Sequence, residues 1–340
     1  MNEKQKFRAV IIGCGVISYA HIHSLLLLDN VEIVGLCDVK PLAAEKRRKE
    51  FSLDLPIYTD YKVMLDELSP DSVHICTPHY LHAEMAEEAL SRGMNVFLEK
   101  PACITNEEAE RLLSAEERSK GKLCVCFQNR TNPAMVKMRE LVSAAEKVYG
   151  ARANVSWYRD AAYYSDGWHG KRALEGGGVM INQAIHTLDL FLYYCGIKCG
   201  KPVSVEAMTA NRHLQDVIDV EDTCDARILF ESGAVGLFTA SSAYVKDSQN
   251  IIEIVTSEGD YLLYGENLYH NGKPVEVENS DRVILGKTCY GNGHERLIAD
   301  YYDALKNDFA VPISLSSALP AVQVLLASYA SNEQKKPIKM

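Results

Sequence analysis

The run Phe7-Arg8-Ala9-Val10-Ile11-Ile12, followed at once by Gly13-Cys14-Gly15-Val16-Ile17-Ser18, constrains the fold more than any other stretch of the chain. A short apolar run reads as a buried strand, two glycines as a tight turn, and the apolar segment to about Leu28 as a helix. The glycines have separate duties. One allows the turn and the next lets backbone approach a pyrophosphate, while the helix that follows offers unpaired N–H groups and a partial positive charge to that anion. Ser18 takes the third position, where glycine or alanine is usual, and is small enough for close helix packing. Taken alone, G-x-G-x-x-S is a weak sign.

It gains weight from Val31–Cys37, a second strand run that ends in Asp38, 23 residues after Gly15. An acid at this place accepts hydrogen bonds from an adenosine ribose and repels a 2′-phosphate, so NAD is favoured over NADP. Lys40, Arg47 and Arg48 keep NADP open, and an N-cap for the helix after Pro41 is the structural alternative for Asp38. The alternation continues with helix 61–68, strand 72–76, helix 81–92, strand 95–98, helix 106–119 and strand 122–127. Such βαβ alternation predicts a parallel sheet with helices on both faces, and ligands bind such sheets at the carboxyl edge. That edge receives Gly13, Asp38, Thr77-Pro78 and Glu99-Lys100-Pro101. Candidate cofactor-binding residues are therefore Gly13, Gly15, Val16, Ile17, Asp38, Thr77, Pro78, His79, His82, Glu99 and Lys100. For His79 and His82, helix capping or surface solvation accounts for the residues equally well.

A length of 340 residues predicts two domains, and 47% hydrophobic with 24% charged residues fits a soluble globular chain. The net charge of −10 disfavours nucleic acid or an anionic membrane as partner. Gly13, Gly15, His21 and His23 interrupt the most apolar early segment, so no targeting or spanning helix is read and a cytoplasmic location is expected. The cysteines are scattered: Cys124-x-Cys126 would point to opposite faces of a strand, and Cys195-x3-Cys199 has no second ligand pair. No metal site is expected from those spacings.

The division is placed near Gln128, with 1–128 a dinucleotide-binding Rossmann domain and 129–340 an α+β domain with a large, mostly antiparallel open sheet. Strand runs at 148–158, 203–210, 223–230, 235–241, 250–256 and 261–264, joined by turns such as Glu231-Ser232-Gly233, carry that expectation. One sheet face needs a cover, from the first domain's helices or from a second copy, so a homodimer or homotetramer is expected. Gly176-Gly177-Gly178 then leads into a predicted helix from Val179 to Tyr194. It places Asn182, His186 and Asp189 on one face, with Asp189 either in a buried network or holding the His186 tautomer. Tyr158, Tyr163, Trp168, His169 and Arg172 on the approach to the glycines can hold a sugar face or simply pack. Arg130 and His294 are weaker candidates, and the C-terminal helices look structural.

The set GCGVIS, Asp38, ICTPHYLH and Glu99-Lys100-Pro101, in that order, resembles the Gfo/Idh/MocA family of nicotinamide-dependent oxidoreductases. Gly176-Gly177-Gly178 followed by Asn182-x3-His186 extends the resemblance, although many members have aspartate where Asn182 stands and some have asparagine. The resemblance implies NAD-dependent hydride transfer at a secondary hydroxyl or ketone of a sugar, cyclitol or sugar derivative, a small polyol substrate class. It places Lys100 beside the nicotinamide and the substrate hydroxyl. Lys100, His186 and Asn182 are then the catalytic candidates, and Lys100, Tyr158, Trp168, Arg172, Asn182 and His186 the substrate-binding ones. An amide takes no proton at neutral pH, so Asn182 is expected to orient a hydroxyl and to tolerate change to aspartate if orientation is its whole role. Proton acceptance falls to Lys100 or His186. Two rivals stand beside this reading: a redox-assisted lyase or glycosidase that retains NAD, and a non-catalytic NAD-binding sensor.

Overall fold

A computed structural model describes residues 6–277 and 293–340. The described chain forms two compact units, one from 6–103, 107–128 and 293–318, the other from 104–106, 129–277 and 319–340.

In the first unit the elements are β1 (Phe7–Ile12), α1 (Ser18–Leu26), β2 (Val31–Cys37), α2 (Pro41–Glu50), β3 (Ile57–Tyr58), α3 (Tyr61–Leu68), β4 (Ser72–Ile75), α4 (His82–Ser91), β5 (Asn95–Leu98), α5 (Asn106–Arg118) and β6 (Leu123–Val125). The strands pair in parallel in the order β3-β2-β1-β4-β5-β6, the order of a doubly wound dinucleotide fold. Val10, Ile11, Val73, Ile75, Val96, Phe97 and Leu98 have no exposed surface. Strands covered on both faces read as apolar runs, as β1 and β5 do, whereas β4 alternates polar and apolar residues and is buried all the same, its Ser72 and His74 meeting the hydroxyls of Tyr301 and Tyr302.

The second unit carries α6 (Pro133–Ala144), β7 (Val148–Ser156), α7 (Arg172–Glu175), α8 (Ile185–Cys199), β8 (Pro202–Ala210), β9 (Thr223–Phe230), β10 (Val235–Ser241), β11 (Ile251–Thr256), β12 (Gly259–Tyr264), β13 (Asn267–His270) and β14 (Lys273–Pro274). After α9 (Gly293–Lys306) and α10 (Leu315–Gln334), β15 (Ile338–Lys339) closes a nine-stranded sheet in the order β14-β13-β12-β11-β7-β10-β9-β8-β15. Its described pairings are antiparallel except for β7 with β10. The alternating burial of β9 fits a sheet whose two faces meet different surroundings. Helix α8 lies on one face, with Phe191 against Phe230 and Phe238. Gly236 makes that approach possible, because a Cβ there would stand 2.5 Å from the Phe191 ring.

Two expectations need correction. The segment 129–340 is not one domain: α9 packs on α1 in the first unit. Its buried stripe of Leu297, Ile298, Tyr301 and Tyr302 explains this, with Tyr301 Oη 3.0 Å from Ser72 Oγ on β4. The helix expected from Val179 begins only at Ile185, and residues 179–184 are turns. The Val179 and Met180 N–H groups go to Glu221, the Asn182 N–H to the Gly178 carbonyl and the Ala184 N–H to the Val179 carbonyl, so Asn182 lies in the turns that precede the helix.

Candidate active site

The glycine turn is built by close approach. Gly13 has φ +90°, and a Cβ there would stand 2.6 Å from the Cys76 carbonyl oxygen, whereas a Cβ on Gly15 would meet open space. Asp38 secures the turn from the end of β2: its Oδ2 accepts the Cys14 N–H at 2.8 Å and its Oδ1 the Lys40 N–H at 2.8 Å. The N-cap residue of α2 is Lys40, which sets aside the capping role considered for Asp38. Arg47, only 8% exposed, donates to Ser18 Oγ (3.0 Å), to the Gly15 carbonyl (2.6 Å) and to Glu50 (2.6 Å). Arg48 and Lys49 both pair with Glu45. Arg47 is thus a strut of the turn, and Ser18 supplies its seat, so this cation is already engaged. Val16 and Val39 are 90% and 81% exposed. Apolar side chains bare at such a turn fit a surface that a dinucleotide covers.

At the next strand ends His82 is a buried strut rather than a surface residue. Its Nδ1 lies 2.7 Å from the Pro101 carbonyl and its Nε2 2.7 Å from the Thr77 carbonyl, so it ties the ends of β4 and β5 together. Burial lowers its pKa, against the pull of those two carbonyls. His79, also buried, stands with its ring 5.7 Å from that of His82.

Glu99 precedes Lys100 but turns its carboxylate into the unit. Oε1 lies 3.0 Å from His21 Nε2 and 3.5 Å from His294 Nε2, and Oε2 accepts the Lys100 N–H at 3.2 Å. Glu99 therefore holds the Lys100 backbone from beneath the strand end, with its carboxylate turned to His21 and His294. His21 Nδ1 meets His74 Nδ1 at 3.0 Å, and His74 Nε2 meets Tyr302 Oη at 2.9 Å. One protonation pattern satisfies all of these contacts. Tyr302 donates to His74 Nε2, His74 Nδ1–H donates to His21 Nδ1, and His21 Nε2–H donates to Glu99. Burial pushes His74 well below its ordinary pKa, and pushes His21 down against the opposing pull of Glu99. Burial raises the Glu99 carboxyl, but the hydrogen bonds from His21 and His294 outweigh it and hold the group well below the usual carboxylate range. Neutral imidazoles and an ionised carboxylate are what the pattern requires. One ligand atom from each of His21, Glu99, Cys126 and His294 lies within 4.8 Å of the others, a grouping that cysteine spacing does not reveal. Burial raises the Cys126 thiol well above its ordinary range, which disfavours the thiolate that metals select.

In the second unit the organising group is Glu221, 4% exposed and absent from the sequence reading. Its carboxylate accepts the N–H groups of Gly178 (3.0 Å) and Met180 (3.1 Å) and the Tyr329 hydroxyl (2.8 Å), and its carbonyl accepts the Val179 N–H at 3.0 Å. Burial raises its pKa against these donors. The glycines make room for this hub. A Cβ on Gly177 would stand 1.9 Å from Tyr329 Oη, and one on Gly178 would stand 1.8 Å from the Glu221 carbonyl oxygen.

Asn182 follows this turn, and its Nδ2 donates to the carboxylate Oε1 of Glu175 and, at 3.2 Å, to Tyr163 Oη. Glu175 has no exposed surface, and its other oxygen accepts the Gly170 N–H. His186, 8% exposed, lies in the first turn of α8. Asp189 holds Arg130 through two hydrogen bonds of 2.7 and 2.5 Å, with Arg130 also over the Tyr193 ring at 4.4 Å. Both residues are thus a buried tie between segments. Of the approach residues, Tyr163 reaches Asn182. Tyr158 has its backbone N–H on Asp247 and its ring beside that of His213. Trp168 stacks on His169 at 3.8 Å, and Arg172 lies over the Tyr329 ring at 4.9 Å. His294 belongs to the Glu99 cluster of the first unit.

Comparison with known proteins decides the family. Residues 7–127 match the NAD-binding Rossmann fold of an oxidoreductase family, and residues 135–262 match the C-terminal domain of the same family. The chain belongs to the Gfo/Idh/MocA family. It is therefore an NAD-binding oxidoreductase. It is 26% identical to D-glucoside 3-dehydrogenase of Escherichia coli, over 80% of this chain and 70% of that one. It is 25% identical to scyllo-inositol 2-dehydrogenase (NAD(+)) of Bacillus subtilis, over 76% and 74% of the two chains. The fold matches the WlbA dehydrogenase of Bordetella pertussis, solved with NADH and UDP-GlcNAcA, with a TM-score of 0.84 at 25% identity over 99% of both chains. Among the described residues no helix is long and apolar enough to cross a membrane.

Proposed function

We propose that the protein transfers hydride between NAD and a secondary hydroxyl carbon of a sugar, cyclitol or sugar derivative. The observation that carries this reading is the placement of Lys100 at the carboxyl end of β5, with its backbone N–H fixed by the Glu99 carboxylate. The turn that Gly13 and Asp38 build ends on the same edge of the sheet. The relatives named for glucoside and inositol oxidation support the substrate class.

NAD, when bound, accepts the hydride. The alcohol carbon gives up hydride and its oxygen gives up a proton, leaving a ketone, NADH and a proton held by the protein. Asn182 orients a hydroxyl, and Lys100 or His186 receives the proton, the other stabilising charge on the oxygen. Lysine needs its pKa lowered by a desolvated or cationic setting to act at neutral pH, whereas imidazole titrates near neutrality without help.

A screen of polyols with NAD, read by NADH fluorescence, tests the reading, with net NADH expected. Turnover of a glycoside without net NADH would overturn it in favour of redox-assisted elimination. Replacing Lys100 by alanine is expected to lower kcat by roughly 10²- to 10⁴-fold while NAD still binds. Unchanged turnover would refute the assignment.

A further inference from the structure

Asn182 differs from the aspartate that many members of the family carry, and its surroundings explain how an amide serves there. Glu175 lies seven residues earlier, immediately before Gly176-Gly177-Gly178, and is wholly buried. Both of its oxygens accept hydrogen bonds from N–H groups, one from Gly170 backbone and one from the Asn182 amide. That is the bonding pattern of an ionised carboxylate, which accepts and does not donate. An amide facing it has one sensible orientation, with Nδ2 toward the carboxylate. The second Nδ2 proton goes to Tyr163 Oη, a hydroxyl that accepts it in the orientation the carboxylate sets.

Resting on the function proposed above, we infer that Glu175 is a positioning residue that sets the Asn182 amide so that Oδ1 is the end offered to substrate. Asn182 then recognises a hydroxyl by accepting its hydrogen. The required negative charge sits at 175, one bond network removed from the reacting atoms, and position 182 stays neutral.

On this inference aspartate is not tolerated at 182, in contrast to the expectation for a residue whose whole role is orientation. A carboxylate there would face the Glu175 carboxylate in a buried setting, and two carboxylates at hydrogen-bond distance cannot both ionise. Moving the charge, by contrast, keeps one carboxylate and one amide in the pair.

The test compares Asn182→Asp, Glu175→Gln and the double variant that carries both, each assayed with the best polyol from the screen. NAD binding by fluorescence and thermal unfolding serve as fold controls. Each single change is expected to lower kcat by about 10- to 100-fold, as loss of an orienting partner does. The double variant is expected to recover at least about tenfold of the Asn182→Asp loss, a rescue that general disruption of packing does not give. Asn182→Asp alone is expected to gain activity as pH falls, because protonating one carboxyl restores a donor and relieves the repulsion. Should Glu175→Gln fail to bind NAD or unfold early, the comparison of Asn182→Asp with the double variant and the pH profile still decides. Parental kcat in a folded Glu175→Gln, or a folded double variant no better than Asn182→Asp, would overturn the inference and leave the function untouched. A parent protein that oxidises no polyol would overturn the proposed function, and this inference with it.

Discussion

Replacing His74 by glutamine isolates one proton in the buried chain beneath β5. Glutamine keeps one amide donor for His21 Nδ1 and one carbonyl acceptor for the Tyr302 hydroxyl, the two partners of His74, but it does not titrate. His74 has no exposed surface, and burial holds its pKa well below the ordinary histidine value. The sign follows from linkage: the unfolded chain binds this proton more readily than the folded one. The stability associated with a neutral His74 is therefore complete above the unfolded pKa of about 6.5, and is lost as pH falls below it. One such proton costs about 1.4 kcal/mol for each pH unit below that point, a tenfold change in the folding equilibrium. His21 and His82, also lowered by burial, add to the same trend in parent and variant alike. The variant should thus show a shallower acid slope by about 1.4 kcal/mol per pH unit between pH 6 and 5, whatever stability it loses at neutrality. Trp157 and Trp168 lie in the other unit, so their fluorescence does not report on this transition. Amide exchange of Ser72–Ile75 and Asn95–Leu98, measured across pH and corrected for intrinsic rates, does. Equal slopes in parent and variant would refute the assignment of neutral His74 and the direction of the hydrogen-bond chain.

Other outcomes follow from the same contacts. Removing the Asp38 carboxylate (Asp38→Ala) should weaken NAD binding by about 10- to 100-fold, the worth of charged hydrogen bonds to a ribose, and titration should show the preference for NAD over NADP narrowing, because the same change removes the repulsion of a 2′-phosphate. An unchanged preference would refute the role of Asp38 in choosing between the two cofactors. Arg130→Met and Asp189→Leu should each cost about 3–5 kcal/mol, and the pair together clearly less than the sum, because a single change strands a buried charge. Urea unfolding followed by tryptophan fluorescence measures this cycle, and additive losses would refute the pairing.

The parallel sheet, its carboxyl edge and Asp38 were legible because each depends on local pattern. Apolar runs, glycine turns and an acid at a strand end need only short stretches of chain to declare themselves. Glu99 shows the limit of that local view. It adjoins Lys100 in sequence, yet neighbours along an extended chain face opposite sides, and the partners of its carboxylate come from α1 and from α9. The second site failed at one point for a related reason. The stretch Val179-Met180-Ile181 carries helix-like apolar positions, but it closes in turns, with the Ala184 N–H on the Val179 carbonyl, and it is tied down by Glu221, some forty residues downstream. No periodicity within the stretch reveals an acceptor supplied from so far away. The placement of α9 was hidden in the same way, since its apolar stripe states that it packs but not on which sheet.

Position 182 shows what a residue means once its partner is known. Read alone, asparagine in place of aspartate looks like a lost carboxylate, and it pushes all acid–base duty onto Lys100 and His186. Read with Glu175 and Tyr163, the amide's nitrogen is engaged twice, and its chemistry toward a ligand is that of an acceptor with a fixed direction. A fixed acceptor cannot take a proton, but it can select a hydroxyl over a carbonyl or an ether at the same place, because only the hydroxyl donates. Titration and selection are then separate duties on separate side chains. That separation predicts that changes at 175 or 182 move the discrimination between hydroxyl and methoxy substrates, while changes at Lys100 or His186 move the pH dependence of the rate.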